Sequence, residues 1–199
     1  AEMPGHQISE TEVQKSLEEI FKAAPGRIIA ATFSSLLTRV QQLLWLSEKY
    51  GRKVAIEGHS MKQNVEVAQA LGYLKVKKGT LIEAKDLDRY SDSEITIACT
   101  GAQGEDRAVL MRIANNEHRS ISLKHEDSVI FSSSVIPGNE ATVQRLKDVL
   151  YKKVRKVYHY ATMDIHAGGH AKRDELRQMI ALTKPRFFIP IHGNYFMLR

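Results

Sequence analysis

The sequence predicts an α/β fold built on a mainly parallel sheet. Three observations carry the prediction. Short apolar, β-branched runs recur along the chain, each is followed by a small polar turn, and most of those turns open an amphipathic segment. Strands alternating with helices of about 10 to 15 residues indicate βαβ units, because parallel neighbours need a crossover between them.

The elements follow in order. Ser9 and Glu12 form a capping box, with Ile8 and Val13 placed to staple it. The helix they open carries Val13, Leu17, Ile20 and Phe21 on one face and stops at Pro25-Gly26. Residues 27–33 read as a buried strand. Ser34-Ser35 are placed to cap a helix bearing Leu36, Leu37, Val40, Leu43 and Leu44, which ends at Tyr50-Gly51. A strand over 53–57, the turn Gly58-His59-Ser60 and a helix over 61–71 repeat the cycle. Residues 75–93 are polar and charged and read as a protruding excursion. Strand 94–99 with helix 106–115 and strand 127–132 with helix 140–152 continue the rhythm, and strand 154–159 closes it. After it come a helix-like run, 171–182, and a strand-like run, 187–191.

Composition narrows the class. Aliphatic and aromatic residues with cysteine make up 43% of the 199 residues, enough to bury a core. The longest apolar runs fall far short of the roughly 20 residues a membrane helix needs, and residues 1–12 carry no apolar signal segment. The single cysteine, Cys99, sits inside an apolar strand, which fits a buried residue in a reducing, cytoplasmic setting. Lysine and arginine outnumber the acids by 29 to 23, for a net charge of +6. Such an excess suits a polyanionic partner such as nucleic acid, and a solvated helix face explains each basic cluster equally well.

In a parallel sheet the turns after the strands gather at one edge, where sites form. Here those turns carry Ser34, Ser35 and Arg39 after the first strand, Thr100-Gly101-Ala102-Gln103-Gly104 after the 94–99 strand, and Ser132, Ser133, Ser134, Gly138 and Asn139 after the 127–132 strand. Hydroxyls, glycine amides and helix N-termini together suit phosphate oxygens. The dinucleotide, P-loop and nucleophile-elbow patterns are missing from the chain. Three histidines, His166, His170 and His192, flank the helix-like run near the end. On residue types alone they are either loop histidines without a shared task or part of a site, since a zinc centre needs three or four protein ligands.

Four segments carry a resemblance: S-S-S-V-I-P-G-N-E from Ser132, H-A-G-G-H-A from His166, K-P-R-F-F-I-P-I-H-G-N-Y from Lys184 and T-G-A-Q-G-E from Thr100. With P-G-H-Q-I-S-E near the start and G-R-K-V-A-I-E-G-H-S-M in the middle, the chain resembles the ribonuclease J family. These are β-CASP enzymes of the metallo-β-lactamase superfamily, two-zinc ribonucleases. The resemblance implies a connecting helix over 1–24, a parallel-sheet β-CASP domain over 25–157 flanked by helices, and a helix–strand return into the metallo-β-lactamase domain over 158–199. It implies that His170 is an active-site residue that moves a proton or stabilises charge in phosphodiester cleavage, and that His192 is a zinc ligand. His166 and the position of Gly168 would hold the substrate phosphate.

Several positions depart from that pattern. Gly168 stands where the family has serine, Ala102 where a serine is usual, Thr38 where a histidine is usual, and Asn194 and Phe196 where H-G-E-Y-R has its acid and base. The family's H-x-H-x-D-H signature is not in this chain. The expectation is therefore a piece of a longer enzyme: an RNA-binding portion with one zinc ligand, which does not retain the two zinc ions and is inactive by itself. The whole protein is expected to be a cytoplasmic homo-oligomer that hydrolyses RNA from the 5′ end, internally or both. The alternative is a self-sufficient RNA-binding module without catalysis.

Overall fold

The structure is a computed structural model that describes residues 3–191 and 193–195. Six strands form one sheet: β1 (Ile28–Ala31), β2 (Lys53–Glu57), β3 (Leu81–Ile82), β4 (Ile95–Cys99), β5 (Ser128–Phe131) and β6 (Lys156–His159). The order is β3-β2-β4-β1-β5-β6, and every adjacent pair is parallel. The sheet is covered on both faces, which is why its central strands are apolar throughout rather than alternating. β1, β4 and β5 are buried at every position.

Helices α1 (Glu10–Ala23), α2 (Leu37–Lys49) and α3 (His59–Ala70) pack on one face with Ile28, Ala30, Val54 and Ile130. Helices α4 (Val109–Ala114) and α5 (Glu140–Tyr151) pack on the other with Ile29, Ile97, Val129 and Phe131. Consecutive residues of one strand thus feed two different cores, as a period of two requires. Each fully buried Leu or Ile adds roughly 1.5–3 kcal/mol. Polar clamps close the sheet's N-terminal end. Arg27 makes a two-pronged pair with Asp127, Nε to Oδ1 at 2.9 Å and Nη2 to Oδ2 at 2.7 Å. Arg52 donates to the carbonyls of Ala24, Gly26 and Ile95.

The α1 capping box forms as the spacing predicts. Glu12 N–H donates to Ser9 Oγ at 3.2 Å, and Ser9 N–H donates to Glu12 Oε2 at 2.7 Å. Four local expectations are corrected. Ser34 and Ser35 do not cap α2: its N-cap is Leu36, and no side chain bonds there. Helix α3 begins at His59, two residues earlier than expected, after Gly58 at φ 112°. A Cβ on Gly58 would stand 2.6 Å from Thr100 Oγ1, so this turn needs glycine for space as well as for its dihedral angle. The 75–93 stretch is not an excursion: β3 joins the sheet edge beside β2, followed by short 3₁₀ turns. Finally, residues 187–191 form no strand, and Phe187, Phe188, Ile189 and Ile191 are exposed after helix α6 (Arg173–Thr183).

Candidate functional site

The chain leaves β1 toward the α2 face and leaves β4 and β5 toward the opposite face, so the C-terminal edge opens into a crevice on either side of β1. Such switch points are where α/β sheets bind ligands. At this edge a buried polar cluster joins five parts of the chain. Arg39, in the first turn of α2, is fully enclosed. Its Nε donates to Gln42 Oε1 at 2.7 Å, its Nη2 to Glu10 Oε2 at 2.8 Å, and its Nη1 to the Ile165 carbonyl at 2.5 Å and to Ser132 Oγ. Ser132 Oγ donates to that same Ile165 carbonyl at 2.6 Å. Gln42 Nε2 donates to the Glu10 carbonyl, and Thr32 Oγ1 to the Ser132 carbonyl. Arginine suits this task because its planar fork serves several acceptors at once.

The cluster seats the histidine segment. Ile165 is buried, and the chain leaves the cluster at His166. Burial, assisted by the nearby Arg39 charge, pushes the His166 pKa down; Glu10 and a hydrogen bond with the Ser132 backbone oppose it. His166 is therefore neutral at pH 7. Its Nδ1 is enclosed and has no hydrogen-bond partner. A buried polar atom in that state costs about 1–3 kcal/mol.

The next turn is held from the N-terminal side. Gln7 Nε2 donates to the His170 carbonyl at 2.8 Å, Gly5 N–H to Asp174 Oδ2 at 2.6 Å, and Arg173 N–H to the Met3 carbonyl at 2.9 Å. A Cβ at Gly168 would sit 2.8 Å from Gln7 Nε2, the movable end of that side chain. His170 is exposed at the start of the segment leading into α6. His192 lies outside the described residues, as does Phe196.

The remaining expected site residues divide into two groups. Ser133 is buried and accepts a hydrogen bond from Gln103 Nε2, which also donates to the Ser134 carbonyl at 2.7 Å. Gln103 Oε1 in turn accepts from Ile136 N–H at 2.8 Å and from Asn139 at 3.4 Å. Gln103 thus shapes the loop that presents Ser134, Gly138 and Asn139. Ser34 and Ser35 border the opposite crevice, where Asn64 Nδ2 donates to the Ser34 carbonyl.

The structure places Arg39 and Ser132 inside the protein, not on its surface, because every polar group they offer is taken by protein acceptors. The residues that sequence reasoning missed are Glu10 and Gln42. Each looks like an ordinary helix residue, and only the fold brings them to Arg39. Gln103 carried a signal, since it lies within the glycine turn after β4.

The metal that the resemblance implies does not fit the described residues. Among them no three His, Cys, Asp or Glu side chains converge on a point where an ion could sit. Cys99 is buried and its thiol is pushed far up by desolvation, so it offers no thiolate. No chemical step is assigned to a metal here.

Two family models match this chain. The ribonuclease J β-CASP domain matches residues 25–150, more than half of the chain. The chain belongs to the ribonuclease J β-CASP family. The Zn-dependent metallo-hydrolase RNA specificity domain matches residues 162–199. The chain is similar to ribonuclease J of Helicobacter pylori, 44% identical over 94% of this chain and 27% of that protein. It is also similar to ribonuclease J of Thermus thermophilus, 46% identical over 98% of this chain and 34% of that protein, and of Mycoplasma pneumoniae, 40% identical over 100% and 35%. The chain therefore spans about a third or less of the length of these relatives.

Proposed function

We propose that this chain is the RNA-binding β-CASP portion of a zinc-dependent ribonuclease that hydrolyses RNA phosphodiester bonds from the 5′ end, internally or both. The observation that carries the reading is the order of the two family matches, whose junction precedes the Ile165–His166 segment held by Arg39. The net charge of +6 suits an RNA substrate.

In this reading His166, the Gly168 turn, Ser34, Ser35, Ser133, Ser134, Gly138 and Asn139 border the RNA phosphates. Arg39 and Ser132 are positioning residues that act through Ile165 and His166. His170 moves a proton or stabilises charge at the scissile phosphodiester. His192 is a zinc ligand of the whole protein, which binds two zinc ions and acts as a cytoplasmic homo-oligomer. The 199-residue chain by itself is inactive and does not retain the metals.

Three measurements test this. A short 5′-monophosphorylated RNA titrated against the chain at several salt concentrations should bind with an affinity that falls steeply as salt rises. Absence of binding at low salt overturns the RNA reading. Metal analysis and an RNA-cleavage assay test the division of labour: stoichiometric zinc or turnover by the 199-residue chain would refute it.

A further inference from the structure

A second polar cavity lies at the same sheet edge, beyond the crevices flanking β1. It encloses about 400 Å³ and draws its walls from four places: Glu57 at the end of β2, Lys62 in α3, Lys85 in the 3₁₀ turn after β3, and Arg112, His118 and Arg119 from α4 and the loop after it. β2 and β5 are three strand spacings apart in the sheet, so this cavity stands about 14 Å from Ser132 along the edge.

The interior of the cavity is organised. Ser120 N–H donates to His118 Nδ1 at 3.3 Å, which leaves the ring proton on Nε2, 3.5 Å from Glu57 Oε2. Lys62 Nζ holds the other oxygen of Glu57 at 2.9 Å. The His118 and Glu57 side chains are only 8% and 12% exposed, so they form a wall and not a solvated fringe. Glu57 is thereby compensated from within. Lys85 and Arg119 stand exposed at the mouth, and with Lys62 and Arg112 they outnumber Glu57 and Glu83 by two charges. Desolvation keeps the His118 pKa down, so this excess does not depend on the imidazole at pH 7.

A walled cavity with a net positive mouth at a parallel sheet's C-terminal edge is built for an anion carrying several acceptor oxygens. We propose that this cavity is a phosphate-binding site, with Arg119 and Lys85 closing over the phosphoryl group and Arg112 behind it. The group belongs either to a nucleotide of the bound RNA strand, remote from the Arg39 cluster, or to a free phosphorylated ligand. The first source rests on the RNA reading above; the second does not.

The test uses the 199-residue chain and its Lys85→Ala/Arg119→Ala double variant, with thermal unfolding to confirm an intact fold. Two probes are applied: a short single-stranded RNA across a salt series, and inorganic phosphate followed by NMR at His118 and Ser120. An RNA site requires the salt slope of the double variant to drop by about 0.7, the value of one phosphate contact on a single strand. A free-ligand site requires saturable shifts at His118 and Ser120 on adding phosphate, abolished in the double variant, with the RNA slope unchanged. If the RNA slope and the phosphate response are the same in both proteins, the proposal is overturned. Phosphate-induced shifts in a chain that binds no RNA would sink the RNA reading and leave this site standing.

Discussion

Arg39 and Ser132, 93 residues apart, share one acceptor: the carbonyl of Ile165 takes a hydrogen bond from each, at 2.5 and 2.6 Å. That carbonyl immediately precedes His166, so α2 and β5 together set where the histidine segment leaves the sheet.

Replacing Arg39 with alanine should therefore do two things. Stability should fall by about 2 kcal/mol or more, since hydrogen bonds to charged groups are each worth about 1.5–3 kcal/mol and Ser132 stays buried. His166 should also lose its fixed position. Urea unfolding reads the first effect, and the NMR line width and titration of His166 read the second. An unchanged His166 would show that the backbone alone holds the segment.

At the opposite end of the sheet, Asp127→Ala should be more damaging to stability. Arg27 is almost wholly buried and would be left with the Ser122 carbonyl as its partner, without the carboxylate. Removing one member of such a pair costs about 3–5 kcal/mol. The loss should appear as a lowered urea midpoint with unaltered RNA binding, because the pair lies away from the candidate site.

One surface group predicts a pH response. Hydrogen bonds from Lys49 and then Tyr50 lower the Glu18 pKa from 4.5 to about 2. A depressed carboxylate stabilises the fold above its unfolded value, and that contribution is lost as pH falls from about 4.5 through about 2. Carbon-detected NMR titration of Glu18 should show the low midpoint, and Lys49→Ala should move it back up. In the same pair Tyr50 is pushed up to about 12, by burial first and by Glu18 second.

In the whole protein, His170→Ala should slow RNA cleavage by about 10²-fold or more, the scale of lost acid–base or electrostatic help. His170 is exposed, so the fold should be intact and RNA binding largely retained. Single-turnover cleavage with saturating enzyme isolates the step. Unaltered rates would remove His170 from the mechanism.

How much was legible in the chain depended on how local the determining physics was. The capping box at Ser9 was legible because both partners lie three residues apart. Strand β2 was legible to the residue because its apolar run is closed by a charged residue at each end, Lys53 and Glu57. Ser34-Ser35 misled because serine often caps helices, whereas here the chain turns through Leu36 to bring Arg39 beneath β5. β3 was hidden because two residues carry no period at all; only pairing with Val54 and Ala55 makes them a strand.

The polar, glycine-rich character of the edge was visible in Ser34, Ser133, Ser134 and the glycine turns, but the division of roles was not. By itself the sequence determined the α/β class, the approximate places of the five longer strands and of the helices, and the family, because hydrophobic period and short motifs act over a few residues. Only the tertiary structure decided that Arg39 is an internal strut, that Glu10 and Gln42 belong beside it, and that Glu57 and His118 wall a second cavity. Those outcomes follow from desolvation, which depends on what the fold encloses and not on which residue comes next.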